Sequence, residues 1–412
     1  MTPIAFSRRY RFDPRIVDGG FFSLDALDVP RGSTVGVVLL NLGGPAARAD
    51  VAPFLYNLFM DPAIIDIPLR GWTRHLLCKL ISTMRGKKVA GDYAQIDPVH
   101  GGSPINPLTR AQAEALDREL SERFGAPNGI ALRSYIAMRY WHPFSEEAAE
   151  QMQRDGVTHL VMLPLYPHYS KTTTGASLVY WHALEEAGEI PKWPVTVAFE
   201  YARHPRYLAA LSARIDEAIA TLPQEARHDA HILFSAHGTP TKEMTERCDP
   251  YCCLIHSTVD ALMKMRGGDH SFHVAFQSKV GPAEWLTPST PDTLKRLGAE
   301  GVRSVVVVPV AFVTDHIETA FELDVEVREE AHHAGIEHYG VSGGLNSHPE
   351  FIAALAETAV AQLTVDGRPL LDGALPYARR PHADAGTRTV RCHQCRCIAE
   401  AAVWHVEHVE RG

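Results

Sequence analysis

Short apolar runs alternate along the chain with stretches in which apolar residues recur every three or four positions. The first pattern predicts buried strands and the second predicts amphipathic helices. The predicted strands are 35–42, 132–138, 160–165, 195–199, 231–236, 273–277 and 305–310, and the clearest predicted helices are 109–124, 146–155, 205–221 and 254–265. Such alternation is typical of parallel sheets covered by helices, so we expect an α/β fold.

Two parts of the chain resemble each other. VGVVLLNLGGP and AHILFSAHGTP each run a strand into a Gly and Pro turn, and LVMLPLYP and VVVVPVAF each place a proline late in a strand. This predicts a duplicated α/β unit. The predicted organisation is an N-terminal extension (1–33), two halves (34–222 and 223–363), and a linker with a Cys-rich tail (364–412).

Composition narrows the classes of protein. The 412 residues are 45% hydrophobic and 22% charged, and the net charge of −9 argues against nonspecific nucleic-acid binding. No apolar run is long enough to cross a bilayer, and Arg8-Arg9 lack the apolar stretch that a secretion signal needs. The seven cysteines are odd in number and clustered, which favours a reducing compartment and metal ligation over disulfides.

Ionisable residues follow the apolar strand at 305–310. Asp315, His316, Glu318 and Glu322 come directly after it, at the sheet edge where open α/β sheets bind ligands. The pattern then predicts a helix with an apolar side (Ile317, Phe321, Val325) and an acidic row (Glu318, Glu322, Glu326). Carboxylates at i+4 steps repel each other, so the row indicates a use for negative charge. The alternative is a capping box formed by Asp315 and Glu318.

A histidine ends the second strand of interest. His237 is followed by Gly238-Thr239-Pro240, a tight turn that leaves the imidazole at the carboxyl end of strand 231–236. Histidine exchanges its proton near neutral pH, so we interpret His237 as a site residue, although many histidines are merely hydrogen-bonded structural residues.

Several motifs together resemble the ferrochelatase family. They are NLGGP (41–45), RYWHP (139–143), LPLYPHYSKTTTG (163–175) and QSKVGPAEWL (277–286), in order within 35–363. The resemblance implies two Rossmann-like chelatase (class II) domains related by a pseudo-twofold repeat, with a porphyrin cleft between them. It also implies a lyase that inserts Fe²⁺ into protoporphyrin IX to form protohaem, the terminal step of haem biosynthesis.

The reaction itself demands particular groups. The porphyrin loses two pyrrole protons while Fe²⁺ sheds water, so the site needs a base, a metal-directing carboxylate and a proton exit. By resemblance, His237 and Glu318 are the metal-insertion pair, with His316 beside Glu318 and Glu322 on the proton path. We expect the pair to face each other across a slot wide enough for a tetrapyrrole. Imidazole and carboxylate both ligate Fe²⁺, so their division of labour stays open.

The resemblance assigns further residues to the porphyrin pocket: Arg139, Tyr140, Tyr166, Trp285 and Phe312, with Arg85 and Ser103 holding a propionate. For the aromatic residues the alternative is ordinary core packing. Leu42 stands where relatives that metallate coproporphyrin tend to place a tyrosine. Leucine neither ligates iron nor donates a hydrogen bond, which favours protoporphyrin IX.

Residues 70–88 contain six Arg or Lys and no acid. Trp72, Leu76, Leu77, Leu80, Ile81 and Met84 form an apolar stripe on the predicted helix. A basic amphipathic helix suits peripheral contact with a membrane surface, here the inner face of the cytoplasmic membrane. The alternative is a stripe packed on the core with its cations in solvent.

The tail carries Cys392, Cys395 and Cys397 in a C-x₂-C-x-C pattern. Three thiols so close indicate a metal, and some ferrochelatases hold a [2Fe–2S] cluster in such a tail. Lys171 occupies the place of the internal cysteine of animal members, so the fourth ligand is one of Cys248, Cys252 and Cys253. A zinc site and uncoordinated thiols are the alternatives, and Cys78 fits a small buried residue.

Two other functions are compatible with the same fold. A cobaltochelatase of the corrin pathway would use a further histidine in place of Glu318, and a haem or iron sensor would bind porphyrin without turnover. His237 and Glu318 argue against the sensor, which needs no base. We expect a cytoplasmic enzyme, and the sequence is compatible with a homodimer without deciding the oligomeric state.

Overall fold

The computed structural model describes residues 1–18, 20–23, 25–278 and 283–371. They form two compact units. Unit 1 comprises Met1–Glu200 and 352–371, and unit 2 comprises Tyr201–Phe351. The division differs from the predicted one at 222/223 because the helix Pro205–Ala220 packs on elements of unit 2.

Unit 1 contains a four-stranded parallel sheet and a small three-stranded sheet. Its strands are β1 (Leu27–Asp28), β2 (Thr34–Asn41), β3 (Ala131–Met138), β4 (His159–Pro164) and β5 (Val195–Val197), with β10 (Leu363–Val365) and β11 (Arg368–Pro369) late in the chain. Its helices are α1 (Pro3–Arg9), α2 (Arg15–Asp18), α3 (Val51–Met60), α4 (Gly71–Ile96), α5 (Ile105–Leu120), α6 (Ala126–Asn128), α7 (Ser145–Arg154), α8 (Ala176–Glu186) and most of α14 (Pro349–Val360), with a 3₁₀ turn at Arg48–Asp50 and π-helical turns at Ser121–Gly125 and Lys171–Gly175.

Strand β2 shows why this sheet forms. It is buried at every position after Thr34 and rich in Val and Leu, as expected of a parallel strand covered on both faces. Helices α5 and α7 pack against β3. The small sheet pairs β1 with β10, so residues 363–369, predicted in part to be a linker, are ordered strands.

Unit 2 is built on a second four-stranded parallel sheet. Its strands are β6 (His231–His237), β7 (Phe272–Gln277), β8 (Ser304–Pro309) and β9 (His338–Val341). Its helices are α9 (Pro205–Ala220), α10 (Thr241–Thr245), α11 (Tyr251–Met265), α12 (Thr290–Ala299) and α13 (Val327–His333), with a 3₁₀ turn at Gln224–Ala226 and a π-helix at Glu318–Glu326.

The two sheets share one topology. Their orders are β3-β2-β4-β5 and β7-β6-β8-β9, so in each sheet the strand that comes first in the chain lies between the second and the third. The predicted α/β class and its duplication are confirmed. The seven predicted strands all form. The short strands β1, β9, β10 and β11 were not predicted, because two to four residues are too few to show a strand pattern. In the part of the chain that the structure describes, no helix is long and apolar enough to span a bilayer.

Candidate active site

Strand β6 places His237 at the carboxyl edge of the unit 2 sheet. The register sets His237 beside Gln277, the last residue of β7. The chain then turns at once, because the Gly238 N–H donates to the Gln277 carbonyl at 2.8 Å. A Cβ at residue 238 would lie 2.5 Å from that carbonyl oxygen, so this turn requires glycine. The backbone on both sides of the imidazole is therefore fixed.

His237 and Glu318 are in direct contact. His237 Nδ1 lies 2.9 Å from Glu318 Oε2, within hydrogen-bonding distance. The expectation that these groups face each other across a slot for a tetrapyrrole is wrong, because no macrocycle fits between atoms this close. The strand β6 and the helix that follows β8 meet at this edge, so imidazole and carboxylate form one polar surface.

The charges of the pair stabilise each other. Burial disfavours the charged form of both groups, but the facing opposite charge and the shared hydrogen bond outweigh it, so the pKa of His237 is raised and that of Glu318 is lowered. Gln277 Nε2, 3.4 Å from Glu318 Oε2, supports the carboxylate. The Tyr251 hydroxyl donates to the His237 carbonyl at 3.0 Å. The contact therefore favours an imidazolium beside a carboxylate.

The acidic row lies on a π-helix, Glu318–Glu326, instead of the predicted α-helix. π-Helical turns are rare and are frequent at functional sites. The wider turn changes the predicted apolar side: Phe321 is buried, but Val325 is 37% exposed and Leu323 is buried in its place. Glu318 and Glu322 are both half-buried, whereas Glu326 at the end of the row is exposed.

Glu322 has an unusual proton affinity. Burial and the neighbouring Glu318 charge raise its pKa to about 7. The Ser278 hydroxyl, 2.9 Å from both Glu322 oxygens, partly opposes this shift. Glu322 therefore gains or loses its proton near neutral pH, as a proton-transfer residue must.

Asp315 and His316 have different surroundings. Asp315 accepts from the Gly344 N–H and the Asn346 amide, so the alternative of a capping box with Glu318 is wrong. His316 is buried, and burial lowers its pKa. Its Nδ1 lies 3.1 Å from the Thr314 carbonyl, while its Nε2 is buried and has no hydrogen-bond partner among the described residues. The Phe312 ring contacts the imidazoles of both His316 and His237, with centroids 4.2 and 6.0 Å away.

Sequence reasoning missed four polar contributors. Gln277, Ser278 and Tyr251 contact the pair or Glu322 in unit 2. Gln277 ends strand β7 and Ser278 follows it, so their position at the same sheet edge was available in the sequence. The fourth, Asp61 of unit 1, follows helix α3 and has no sequence pattern that marks it.

In unit 1, Arg139 is paired with a buried acid. Its Nη2 lies 2.7 Å from Asp61 Oδ2, which also accepts from the Tyr140 hydroxyl at 2.8 Å. The guanidinium lies over the Tyr180 ring at 3.9 Å and the Phe6 ring at 5.1 Å. Phe6, Asp61, Arg139 and Tyr180 line a pocket of about 610 Å³. The resemblance assigned Arg139 to the porphyrin pocket, and in unit 1 its guanidinium pairs with Asp61.

Comparison with known proteins identifies the family. The ferrochelatase family profile matches residues 34–363. Ferrochelatases from Gloeothece citriformis and Synechocystis sp. are each 44% identical, over 80% of this chain and 83% and 82% of their own. The chain belongs to the ferrochelatase family. It is a lyase that inserts iron into protoporphyrin in haem biosynthesis. SirB from Bacillus subtilis with Fe³⁺ is a distant structural likeness, with 12% identity and a TM-score of 0.46 over 79% of this chain and 96% of that one.

The remaining predicted porphyrin contacts of this ferrochelatase are spread over both units. In unit 1, Leu42 is half-buried, Tyr166 and Ser103 are buried, and Arg85 is exposed on α4 with its guanidinium 5.8 Å from the Phe59 ring. In unit 2, Trp285 is half-buried and pairs with Pro240 beside the His237 turn. The structure gives no contact between Arg85 and Ser103.

Helix α4 turns its apolar stripe outwards. Trp72, Leu76, Leu80 and Met84 are all more than half exposed. The buried row consists instead of Arg74, Cys78, Ser82, Gly86 and Ala90. Small side chains there let α4 approach α3, since a Cβ at residue 86 would lie 3.0 Å from that of Ala52. The alternative of a stripe packed on the core is wrong for these four residues.

One of the six cations in residues 70–88 is buried. Arg74 is fully buried and donates to the carbonyls of Phe59, Asp61, Ile65 and Ile67. It therefore anchors α4 to the preceding loop.

The cysteines other than the buried Cys78 divide into two groups. Cys392, Cys395 and Cys397 lie outside the described residues. Cys248 is half-buried with a left-handed backbone (φ +55°), whereas Cys252 and Cys253 are buried in the first turn of α11. Among the described residues no group of three or more His, Cys, Asp or Glu side chains has a metal-binding arrangement.

Proposed function

We propose that His237 and Glu318 are the groups that insert Fe²⁺ into protoporphyrin IX. The observation that carries this proposal is their 2.9 Å contact at the carboxyl edge of the sheet, with Glu322 on the next turn. A base, a cation-directing carboxylate and a second proton acceptor thus occur together.

The electrostatics support a division of labour. The Glu318 charge raises the pKa of His237, so the intact pair favours the protonated imidazole. An Fe²⁺ ion bound by Glu318 would cancel that charge and release the proton, because the stabilising anion is then neutralised. The neutral imidazole can next accept a pyrrole proton. Glu318 is therefore the metal-directing group and His237 the base.

Glu322 and Glu326 provide the exit for the two pyrrole protons. Glu322, with a pKa of about 7, can both accept and release a proton, and Glu326 is exposed to solvent. His316, kept neutral by burial, would orient the Phe312 ring between the two imidazoles.

The test is anaerobic metallation of protoporphyrin IX by Fe²⁺, followed by its absorption spectrum. We expect His237→Asn to abolish turnover while porphyrin binding stays nearly normal, and Glu318→Gln to do the same with an additional loss of Fe²⁺ affinity. His338→Asn on β9 is the matched control and should retain activity. Normal turnover of the His237 variant would remove this residue from the mechanism.

For the porphyrin itself, Leu42, Arg85, Ser103, Arg139, Tyr140, Tyr166, Trp285 and Phe312 remain the proposed contacts. Leu42 would select protoporphyrin over coproporphyrin, as the residue at this position cannot bind iron. Leu42→Tyr should lower the ratio of kcat/KM for protoporphyrin to kcat/KM for coproporphyrin. An unchanged ratio would show that selectivity lies elsewhere.

The exposed apolar face of α4 supports peripheral membrane contact of a cytoplasmic enzyme. Lys79, Lys87 and Lys88 flank that face, and anionic lipid would attract them. In sedimentation with anionic vesicles, Met84→Glu should release the protein, whereas Met265→Glu, an exposed methionine of unit 2, should not. Equal binding by both variants would contradict membrane contact through α4. A homodimer stays a prediction that analytical ultracentrifugation can test.

A [2Fe–2S] cluster on Cys392, Cys395 and Cys397 also remains a proposal. Of the candidates for the fourth ligand, Cys248 fits best, because it is half-exposed and its loop adjoins Tyr251, which contacts His237. Such a cluster supplies one-electron chemistry or a structural link. Cys248→Ser should weaken the visible absorption and the rhombic signal after reduction, and Cys78→Ser should not. A colourless protein with stoichiometric zinc would reject the cluster.

A further inference from the structure

The N-terminal helix lies against Arg139, although the two are far apart in the chain. Helix α1 (Pro3–Arg9) carries one buried aromatic side chain, Phe6, which is 2% exposed. The Arg139 guanidinium lies 5.1 Å from the centre of the Phe6 ring and 3.9 Å from that of Tyr180. The two rings meet edge to face, with centroids 5.1 Å apart. With these rings around it, the Arg139 side chain is only 10% exposed.

The same helix forms a wall of the pocket that contains Arg139. Met1, Pro3 and Phe6 line this pocket together with Arg139 and Tyr180. The Tyr180 hydroxyl also donates to the Met1 carbonyl at 3.1 Å. The N-terminal segment therefore takes up the space and the aromatic contact beside the guanidinium that a flat macrocycle would need.

Helix α1 is short and is fixed mainly through its two buried residues, Phe6 and Ser7. The Ser7 Oγ accepts from the Gly71 N–H, at the start of α4, at 3.1 Å. Seven residues are too few for a helix that is stable by itself in water. Residues 10–13, which connect α1 to α2, have no regular secondary structure. The helix can therefore open locally while the parallel sheet of unit 1 stays intact.

Helix α1 covers Arg139 without satisfying all of its hydrogen bonds. Arg139 Nη2 is paired with Asp61, but Arg139 Nε is buried and has no hydrogen-bond partner among the described residues. A benzene ring offers no lone pair to this N–H, so Phe6 leaves it unpaired. A buried donor without a partner is costly, and a ligand that brings an acceptor into the pocket removes that cost. Such a ligand can therefore compete with α1 for the guanidinium.

We propose that α1 is an autoinhibitory strap, which covers Arg139 and leaves when protoporphyrin binds. This inference rests on the porphyrin contact proposed for Arg139. Because the strap and the porphyrin exclude each other, the apparent affinity for porphyrin is the intrinsic affinity reduced by the fraction of protein with the strap open. Loosening the strap raises this fraction and tightens porphyrin binding. A helix that served only as a wall of the porphyrin site would have the opposite effect.

The first test is hydrogen exchange of the full-length protein with and without iron-free protoporphyrin IX. The Phe6 and Tyr10 N–H groups donate to the Thr2 and Phe6 carbonyls at 3.0 and 2.9 Å, so their exchange reports whether α1 is formed. We expect porphyrin to speed exchange in residues 3–10 severalfold, because it displaces the strap. Slower or unchanged exchange in these residues would overturn the proposal.

The second test measures the Kd of iron-free protoporphyrin IX by quenching of tryptophan fluorescence. Phe6→Ala should bind porphyrin about tenfold more tightly, since the strap loses a buried phenylalanine, and Ser7→Ala should change the Kd in the same direction by a smaller factor. Phe22→Ala is the matched control. Phe22 is also a buried aromatic residue of the N-terminal extension, but its ring contacts His182, so this variant should bind as the wild type does. Unchanged or weaker binding by Phe6→Ala and Ser7→Ala overturns the strap.

Failure of the strap and failure of the proposed function give different results. No Fe²⁺ is present, so neither readout depends on metal insertion by His237 and Glu318. The porphyrin contact of Arg139 is tested by Arg139→Lys, which keeps a cation beside Asp61 but loses the planar guanidinium. Weaker binding by Arg139→Lys together with unchanged binding by Phe6→Ala refutes the strap alone. Unchanged binding by Arg139→Lys refutes the contact and the strap with it.

Discussion

Replacing Asp61 by alanine should destabilise this ferrochelatase strongly. Asp61 is 1% exposed and holds both the Arg139 guanidinium and the Tyr140 hydroxyl. Its other oxygen accepts from the Ala63 N–H at 2.8 Å. The variant leaves a buried cation without its anion, and breaking such a pair from one side costs about 3–5 kcal/mol. We expect a loss of that size in the free energy of unfolding, measured by urea denaturation and tryptophan fluorescence.

The same unit supplies a matched control. Asp366 pairs with Arg31 at 2.8 Å, but both side chains are more than half exposed, and such pairs contribute below about 1 kcal/mol. Asparagine tolerates the left-handed backbone of this residue (φ +52°), so Asp366→Asn should unfold almost as the wild type does. The double variant Asp61→Ala/Arg139→Met should recover part of the lost stability, since no uncompensated charge remains. If Asp61→Ala lowers the free energy of unfolding no more than Asp366→Asn does, the burial of the Arg139 charge does not explain the importance of the pair.

Three further predictions concern unit 2. The pKa of Glu322 is about 7 in the folded protein against 4.5 for an ordinary glutamate, so the folded state holds an extra proton between these values and loses stability as the pH rises through them. Glu322→Gln should abolish this loss. If the melting temperatures of the two proteins change in parallel from about pH 5 to pH 8, the prediction is wrong. Ser278→Ala removes the contacts that lower the Glu322 pKa, so in a plot of activity against pH the increase in activity should shift to higher pH by about one unit. If this part of the curve does not shift, Glu322 takes no part in proton transfer. Gly344→Ala places a Cβ 2.9 Å from the Asp315 nitrogen and should lower activity and stability, whereas Gly343→Ala, with nothing within 4 Å, should change neither.

Local patterns in the sequence sufficed for the α/β class, the strands and the duplication. An apolar run or a 3.6-residue period is encoded by neighbouring residues. The residues that follow each parallel strand lie at the edge of the sheet where ligands bind. His237 and Glu318 could be selected in this way, with the family motifs adding the chemistry. The sequence alone could not exclude a capping box for Asp315 and Glu318, nor a buried stripe on α4, because each alternative has the same local pattern.

The tertiary structure determined which side chains are in contact and how each contact changes their pKa values. His237 and Glu318 are 81 residues apart, and Asp61 and Arg139 are 78 apart, so no local period reports either contact. A pKa depends on burial and on charges from other strands, which exist only after the chain has folded. Likewise, the apolar stripe of α4 faces outwards because the face with small side chains packs closely on α3. Which face of a helix packs inwards depends on its partner helix and cannot be read from the apolar positions alone.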